Sequence, residues 1–535
     1  MVGNDRVLTL VRVLAVALIA VVAVRVAWVS DDALITLRTA LNISHSWGPG
    51  FNSTESVQAY THPLWFLLWV GVGVATNQWI LGIIALGIVC VIVATALLMH
   101  QAQSISKIIV AGGLLLLSNS FIDYTSSGLE NPLSYAAVAV LIVLSLRDFG
   151  ASSPRWWWSA LVGLTSAAIF LTRMDLITLI AIPLAVLAWR YRRDVPSLLI
   201  GVGAFALPLV VWFTWAYLTY ASFLPNTFAA KTNAEIPRTE FIVQGLRYLW
   251  VSFENDPVTL IGLATGIGIG IALGPTLLRA WALGALTYVG YVVWIGGDFM
   301  GGRFLAVPFF VAVFVLAASP LGSRRYPAPS SVSDTHGLVP ILTATGAVGL
   351  LILATMLAGT SSTAFANPQG PRWEVDQNFN AGIVDARGTS VADADSLKHM
   401  VDNLSLAFID PDFVPIGDGT GLGRALRNID KSAANWPTND GAVTKPSEVG
   451  VFCGYLGNIG IATGPTTHLI DSCALTDRFL AERPFVPAEP FAWKPGHFHR
   501  GIPEGYVEAV ASDDPRQMAD MRDAFDLEQL WNRIR

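Results

Sequence analysis

Charged residues are scarce in this chain of 535 residues: 13% are Asp, Glu, Lys or Arg, while 53% are hydrophobic. Soluble domains carry about a quarter charged residues. Because a charge inside a bilayer is costly, this deficit and a mean hydropathy of +0.53 indicate a membrane protein. The formal net charge of −6 argues against a nucleic-acid partner, since nucleic-acid-binding domains are basic.

Cysteine is also rare, with three residues in the whole chain. Cys90 lies in an apolar run and is expected to pack as a small hydrophobic side chain. Cys453 and Cys473 both lie in the polar C-terminal part, where two cysteines in an extracytoplasmic domain favour a disulfide over two unrelated buried thiols. The sequence has no phosphate-binding Gly-rich loop with Lys and no dinucleotide fingerprint, so no nucleotide cofactor is expected.

Apolar stretches long enough to cross a bilayer recur up to about residue 359. We predict eleven transmembrane helices, near 7–29, 62–100, 105–122, 128–147, 156–172, 176–190, 196–219, 257–277, 280–295, 304–319 and 338–359. The first run is longer than a signal-peptide core and is interpreted as a retained helix. The second is too long for one helix, so we count one crossing and expect its other half to be re-entrant or to lie on the surface.

The placement of Lys and Arg supports this odd number of crossings. With eleven helices the basic loops, including the cluster at 190–193, lie in the cytoplasm, as the positive-inside rule requires. Two crossings in 62–100 would move that cluster outside. The predicted fold class is therefore a polytopic α-helical membrane domain over 1–359, with its first extracytoplasmic loop at about 30–61. A soluble, mixed α/β periplasmic domain follows over 360–535, and its tryptophans are candidate stacking surfaces for sugar rings.

Polar loops converge on the outer face in this topology, as expected of an enzyme site built at one end of a scaffold. Asp31 and Asp32 stand in the first of these loops. One interpretation is that Ser30 or Asp31 caps an amphipathic helix at 33–44 that lies on the membrane surface. The other is catalytic: one carboxylate deprotonates an acceptor hydroxyl while the second orients the acceptor or holds a divalent cation. The two interpretations are compatible. The catalytic one is favoured because the pair lies at the outer membrane surface beside other polar loops.

A lipid phosphate leaving group requires positive charge close by, and Arg173, Lys231 and Arg303 are the outer cations that can supply it. Snorkelling to the interface is an equally good explanation for each of them. His62 either hydrogen-bonds a phosphate or caps the next helix, and Asp298 can pair with Arg303 as Asp175 can with Arg173. The further candidates for substrate binding in the outer loops are Glu55, Tyr60, Glu130, Asn226 and Asp298.

These residues form an ordered set. It runs from Trp28–Arg38 through 55–65, Gly-Leu-Glu-Asn-Pro at 128–132, Leu-Pro-Asn-Thr at 224–227, Gly-Gly-Asp-Phe-Met at 296–300 and 496–506. The set resembles the C-fold (GT-C) membrane glycosyltransferases, which carry an acidic pair in the first extracytoplasmic loop. More closely it is similar to the terminal arabinofuranosyltransferases of mycobacterial cell walls, the arabinofuranosyltransferase B family. The acidic pair alone is a weak motif, whereas the ordered set is specific.

The resemblance implies transfer of arabinofuranose from decaprenyl-phosphoryl-arabinofuranose to the arabinan of arabinogalactan or lipoarabinomannan, with a terminal β-(1→2) linkage. It also implies a multi-pass protein of the bacterial plasma membrane whose active site is periplasmic, and we expect a monomer surrounded by membrane lipids. Two alternatives stay open: transfer of another lipid-linked sugar such as mannose, and transport of a lipid-linked sugar. The absence of an internal repeat makes the transporter less favoured.

Overall fold

The computed structural model describes residues 2–148, 155–320, 382–391, 433, 435–441, 446–512, 516–517 and 519–523. These residues are mostly helical. The chain forms two compact units. The first contains Met1–Trp28, Ile84–Val211 and Arg238–Leu397, and the second contains Val29–Ile83, Trp212–Pro237 and Lys398–Arg535. The units divide the chain differently from the boundary predicted at residue 359, which stays a prediction.

The helices up to residue 318 are, in chain order, α1 (Val2–Arg25), α2 (Asp31–Ser44), α3 (Pro63–Thr76), α4 (Trp79–Gln101), α5 (Ile105–Leu117), α6 (Asn119–Asp123), α7 (Asn131–Asp148), α8 (Trp156–Thr172), α9 (Ile177–Arg190), α10 (Val195–Tyr220), α11 (Asn226–Thr232), α12 (Arg238–Asn255), α13 (Pro257–Leu273), α14 (Thr276–Trp294) and α15 (Arg303–Ala318). Further along lie α16 (Ala386–Val391), strand β1 (Glu448–Phe452), α17 (Leu456–Thr463), strand β2 (Thr467–Asp471), α18 (Arg478–Glu482) and α19 (Tyr506–Ser512).

Within the described residues, four helices are long and apolar enough to cross a bilayer: Asp5–Arg25 of α1, and α4, α10 and α14. Helices α12 and α13, bent by 111° at their junction, supply a fifth if they count as one span. Helices α3, α5, α7, α8 and α15 are apolar but shorter. The described part of the chain is thus mostly helical and has four or five candidate membrane spans. The total of eleven stays a prediction, and the expected span at 338–359 lies outside the described residues.

The ambiguous stretch 62–100 is divided into α3 and α4 by a break at Asn77, whose backbone is left-handed (φ 52°). Helix α3 has 14 residues and is about 21 Å long, which is short of the roughly 30 Å hydrocarbon core. Helix α4 has 23 residues and is long enough. A single crossing in 62–100 stays a prediction.

Helix α15 forms the centre of the first unit, because its residues from Leu305 to Val315 are all buried. Its neighbour α13 approaches so closely that a Cβ on Gly266 would lie 2.3 Å from the carbonyl oxygen of Ala312. Small residues permit such close contact between helices in membranes. At the start of α13, the carboxylate of Asp256 accepts hydrogen bonds from the backbone and hydroxyl of Ser120 (2.8 and 2.7 Å).

The second unit contains a small β-α-β motif, in which β1 and β2 pair in parallel and α17 connects them. Strand β2 is buried along its whole length. Parallel strands require a crossover connection of this kind. Two residues that follow the strands, Cys453 and Cys473, are joined as a disulfide with their Cα atoms 5.1 Å apart. The bridge closes the motif at the ends of both strands.

Helix α2 also belongs to the second unit, and the prediction that it lies on the membrane surface is wrong. Every residue from Ala33 to Asn42 is buried, including the polar ones. The side chain of Asn42 donates to the carbonyls of Gly50 and Phe51 (3.1 and 3.0 Å) and accepts from the indole N–H of Trp436 (3.2 Å). The polar face of α2 is therefore covered by loops of the same unit, which helical periodicity does not reveal.

Candidate active site

Ser30, and not an aspartate, caps the N-terminus of α2. Its backbone is extended (φ −81°, ψ 155°), and its hydroxyl oxygen accepts a hydrogen bond from the N–H of Ala33 at 3.2 Å. This is the usual geometry of a serine cap. Asp31 and Asp32 occupy the first turn of the helix, and neither of them is its cap.

Asp31 meets a second helix N-terminus. Its Oδ1 accepts a hydrogen bond from the backbone N–H of Asn458 at 2.8 Å, in the first turn of α17. The surrounding protein removes water from the carboxylate and raises the pKa of Asp31 to about 7, an effect to which the charges of Asp32 and Asp471 add while the N–H groups of Asn458 and Gly457 oppose it. A carboxyl group that titrates near neutral pH is suited to act as a general base.

The contact between α2 and α17 is close because glycines line it. A Cβ on Gly457 would lie 2.1 Å from the carbonyl oxygen of Asp31, and a Cβ on Gly460 would lie 2.8 Å from two atoms of the Arg38 side chain. Real Cβ atoms do not approach other atoms so closely. Helix α17 can therefore lie against the start of α2 only with glycine at these two positions.

Arg38, two turns after Asp31, holds the other end of α17. The buried guanidinium group donates to the carbonyls of Gly464 at 3.1 Å and Thr467 at 2.7 Å, and it lies 4.5 Å from the ring centre of Phe51. Burial lowers the pKa of Arg38 to about 9. An acid at the N-terminus of α17 and a base at its C-terminus both complement the helix dipole.

His62 contacts α2 one turn after the acidic pair. Its Nε2 is 2.9 Å from the hydroxyl oxygen of Thr36, which is four residues after Asp32 and hence on the same face of α2. The expected capping role of His62 is absent, since its side chain makes no cap hydrogen bond at the start of α3. The imidazole therefore contacts the face of α2 that also carries Asp32, which is half-buried.

Tyr60 is buried and lies two residues before His62 in the same loop. Its ring stacks on Phe66 with centroids 4.1 Å apart, and its hydroxyl is 3.1 Å from that of Tyr220. Burial raises the pKa of Tyr60 well above its ordinary value. A phenol held in this way stays protonated and positions the loop that carries His62.

Glu55 and Asn226 connect the loops of the second unit. Glu55 lies 3.1 Å from Nε2 of His468 on β2, and its side chain is 24% exposed. The amide nitrogen of Asn226 donates to the carbonyls of Ala474, Leu475 and Asp477 (2.9, 3.2 and 3.2 Å). These bonds give Asn226 an organising role for the loop after β2. Substrate binding by either residue stays a prediction.

Lys231, the remaining candidate of the second unit, lies on α11 and is exposed. Two apolar side chains nearby, Phe223 and Phe228, are 55% and 52% exposed. Lysine beside exposed aromatic rings is typical of a membrane interface. Both earlier interpretations of Lys231, snorkelling and phosphate binding, are compatible with this position.

The candidates of the first unit form one buried ion cluster. Oε1 of Glu130 lies 3.4 Å from Arg173 and 3.3 Å from Arg303, so one carboxylate bridges two guanidinium groups. Asp175 pairs with Arg173 at 2.6 Å, and Asp298 lies 3.7 Å from Arg303. Both aspartate–arginine pairs considered from the sequence are thus present in the structure.

Carboxylates outnumber guanidinium groups in this cluster. Burial alone would lower the pKa of Arg173, but Asp175 and Glu130 outweigh it and raise that pKa well above its ordinary value. Burial raises the pKa of Asp175, but the charge and hydrogen bonds of Arg173 together with the hydrogen bond from Tyr288 outweigh burial and lower that pKa. Three carboxylates surround two arginines, so neither cation is available to a phosphate without rearrangement of its carboxylate partner. Binding of a donor phosphate here stays a prediction.

A segment from the C-terminal half also joins the first unit, and the sequence did not single it out. The backbone of Val384 bonds to both Phe299 and Gly301, with Val384 N–H donating at 2.8 Å and its carbonyl accepting at 3.0 Å. Three residues later, Arg387 lies 3.8 Å from the carboxylate of Asp123 and donates to the carbonyl of Val26 at 3.2 Å. The loop that carries Asp298 is therefore braced by residues beyond the expected end of the membrane domain.

Two known enzymes are similar to this chain. Both are named terminal β-(1→2)-arabinofuranosyltransferase. The one from Corynebacterium glutamicum is 27% identical over 357 residues, which covers 55% of this chain and 48% of the relative. The one from Mycobacterium tuberculosis is 27% identical over 343 residues, with 55% and 53% covered. The chain is a distant relative of these two enzymes.

The chain spans about half the length of the curated relatives that it matches. No protein-family model and no solved structure matches it. The relationship agrees with the resemblance noted from the ordered polar loops.

A metal site receives no direct support in the part of the chain that the structure describes. No group of three or more His, Cys, Asp and Glu side chains there is arranged to hold a metal ion. The ion cluster around Glu130 is already neutralised largely by its own arginines. Use of a divalent cation stays a prediction from the sequence.

The candidate residues therefore fall into two groups. The second unit contains Asp31, Asp32, Glu55, Tyr60, His62, Asn226 and Lys231. The first unit brings together Glu130, Arg173, Asp298 and Arg303, with Asp175 added. Sequence reasoning missed Arg38, Asn458 and Arg387. The sequence could have indicated Arg38, because it is a charged residue in an otherwise apolar helical stretch.

Proposed function

We propose that this protein transfers arabinofuranose from decaprenyl-phosphoryl-arabinofuranose to the non-reducing ends of cell-wall arabinan, with formation of a terminal β-(1→2) linkage. The observation that carries the proposal is the acidic pair at the head of α2, in which Asp31 has a pKa near 7. The distant relationship to two arabinofuranosyltransferases supports the choice of sugar. Arabinogalactan and lipoarabinomannan are the proposed acceptors.

The reaction breaks the bond between the anomeric carbon and the phosphate oxygen, and forms a bond from that carbon to an acceptor hydroxyl oxygen. Decaprenyl phosphate leaves, and the hydroxyl proton passes to a carboxylate. Asp31 is suited to that proton because its pKa lies near physiological pH. If the donor is the β-anomer, a β-linked product means net retention, which requires either attack by a carboxylate first or reaction on one face through an oxocarbenium-like state.

Phosphate binding is proposed for the cations already named. Arg173 and Arg303 are held side by side by Glu130, and guanidinium groups bind phosphate well through paired N–H donors. Lys231 and His62 are the corresponding proposals in the second unit. Transition-state stabilisation by such donors is greatest where charge develops, on the leaving phosphate.

We further propose that the protein works in the bacterial plasma membrane as a monomer, with its active site on the periplasmic side. The basic loops predicted to be cytoplasmic support this orientation. Carbohydrate binding by the polar C-terminal part is proposed in addition, with acceptor arabinan as the ligand.

The test uses the purified full-length protein with decaprenyl-phosphoryl-arabinofuranose and a short arabinan acceptor. Product linkage is determined by mass spectrometry and NMR. Transfer of arabinose with a terminal β-(1→2) linkage is the expected result. Decaprenyl-phosphoryl-mannose in a parallel reaction tests the alternative sugar, and transfer of mannose without arabinose would overturn the proposal. Uptake of the lipid into vesicles without any transfer would indicate the transporter instead.

A further inference from the structure

An apolar groove lies between α8, α9 and α10 in the first unit. It encloses a cavity of about 240 Å³. Its walls include Trp158, Ser166, Leu184, Tyr191, Gly201 and Phe205. No member of the ion cluster around Glu130 lines it, so the groove is separate from the candidate active site of this unit.

The groove follows α9 along almost its whole length. Its lining begins at Ile177, the first residue of α9, and ends at Tyr191, directly after the last. At 1.5 Å per residue this distance is about 21 Å. Glycine at positions 163 and 201 lets α8 and α10 touch along one wall of the groove, since a Cβ on Gly163 would lie 2.2 Å from the carbonyl oxygen of Gly201. A long, narrow, apolar groove of this length fits a single extended hydrocarbon chain.

The Tyr191 end of the groove is strongly basic. The helix ends here carry five arginines, Arg147, Arg155, Arg190, Arg192 and Arg193, and two aspartates, Asp148 and Asp194. These helix ends meet here, because the rings of Trp158 and Tyr191 lie 5.5 Å apart. Arg155, Arg192 and Arg193 are all exposed. Basic pockets between transmembrane helices bind anionic lipid head groups.

Exposed tryptophans mark the same end as a membrane interface. Trp156 is 68% exposed and Trp189 is 69% exposed, which is typical of the aromatic belt at head-group level. The guanidinium group of Arg192 lies over the Trp189 ring at 4.4 Å. A phosphate at this level would meet the arginines while its acyl chain enters the groove.

The opposite end of the groove lacks matching charge. Near Ile177 the adjacent cation is Arg173, which already binds the carboxylates of Asp175 and Glu130. Charge complementarity therefore places an anionic head group at the Tyr191 end and not at the end close to the ion cluster. A sugar donor bound at the ion cluster would instead need its phosphate at the Ile177 end of the groove.

We propose that the groove is a binding site for an anionic phospholipid, with one acyl chain between α8, α9 and α10 and the phosphate at Arg192 and Arg193. The site is independent of the proposed glycosyl transfer, because none of its residues belongs to the candidate active site. A bound lipid of this kind would fill a cavity between helices and anchor the basic loops to the membrane surface.

Native mass spectrometry of the delipidated full-length protein tests the site, with dioleoyl-phosphatidylglycerol and dioleoyl-phosphatidylcholine titrated separately. We expect one phosphatidylglycerol to bind roughly tenfold more tightly than phosphatidylcholine, because each basic residue at the surface adds attraction for an anionic lipid. The double variant Arg192→Gln/Arg193→Gln should abolish that preference. The variant Ala188→Phe, which narrows the groove at a lining position, should weaken binding of both lipids.

Arg279→Gln serves as the matched control, since Arg279 is an exposed arginine at another helix end and should leave the lipid preference unchanged. Equal binding of the two lipids by the wild-type protein would overturn the proposal. An unchanged preference in the Arg192/Arg193 double variant would also overturn it. So would displacement of phosphatidylglycerol by decaprenyl phosphate at equal or lower concentration, because the groove would then belong to the sugar donor.

Discussion

The carboxylate of Asp31 accepts a hydrogen bond from the backbone of Asn458 at 2.8 Å, although the two residues are 427 positions apart. Helix α17 presents its N-terminus to the first turn of α2, and the glycine before Asn458 lets the two helices touch. The geometry of the acidic pair consequently depends on a segment near the end of the chain. It also makes the two aspartates different, since this contact belongs to Asp31.

The first prediction separates the two aspartates. Asp31→Asn should abolish transfer and also change thermal stability, because it alters the group that meets the N-terminus of α17. Asp32→Asn should abolish transfer with little change in stability, since Asp32 is half-buried and stands outside that contact. Glycosyl transfer with the lipid donor and the unfolding temperature in detergent are measured for both.

Glu504→Gln is the control for this pair, because Glu504 is an exposed carboxylate of the same unit. It should leave both readouts unchanged. Wild-type activity in both aspartate variants would contradict the catalytic assignment. An equal loss of stability in both would contradict the structural distinction between them.

The second prediction concerns pH. The folded protein raises the pKa of Asp31 from an ordinary 3.8 to about 7, so the native state binds this proton more tightly than the unfolded chain does. The resulting stability is complete below pH 4 and is lost as pH rises to about 7. The pKa of Asp471, raised by burial to about 6, acts in the same direction up to that value.

Burial also raises the pKa of Asp477 well above its ordinary value, so Asp31 is isolated by comparing the wild type with Asp31→Asn between pH 6 and pH 8. We expect the unfolding temperature of the wild-type protein to fall across this window, and that of Asp31→Asn to fall less. If Asp31 is the base, activity should rise over the same interval as the carboxylate ionises. Identical stability profiles for the wild type and the variant would exclude the raised pKa.

The third prediction tests the helix contact directly. Gly457→Ala places a methyl group 2.1 Å from the carbonyl oxygen of Asp31, so α17 must move away from α2. Overpacking of this kind costs about 1–3 kcal/mol, and the unfolding temperature should fall together with activity. Gly501→Ala is the matched control, because a Cβ there meets nothing within 4 Å. Equal effects of the two substitutions would contradict the close contact.

The fourth prediction concerns the ion cluster. Glu130→Gln removes the carboxylate that bridges Arg173 and Arg303 and leaves two buried cations less compensated. Breaking a buried ion pair costs about 3–5 kcal/mol, so a large fall in the unfolding temperature is expected. Glu482→Gln breaks an exposed pair with Arg478, for which the expected change is below about 1 kcal/mol. Comparable effects would show that the Glu130 bridge contributes little.

Composition and charge placement were sufficient to indicate a membrane protein, because a bilayer excludes charge wherever the chain crosses it. The ordered polar loops were sufficient to indicate the resemblance to arabinofuranosyltransferases, and the distant relationship to two such enzymes agrees with it. The sequence also indicated the pairs Arg173–Asp175 and Asp298–Arg303, because short spacing along the chain brings their side chains within reach of each other. The total number of spans stays a prediction.

Only the tertiary structure decided which aspartate meets a helix, that α2 is buried, and that Glu130 bridges two arginines. Each of these depends on contacts between residues that are far apart in the chain, such as Asp31 with Asn458 and Arg38 with Thr467. Helical periodicity tells which face of a segment is apolar, but the partner that covers a polar face is set by packing of the whole unit. For the same reason the sequence singled out the acidic pair, while its surroundings, and hence the pKa of Asp31, came from the fold.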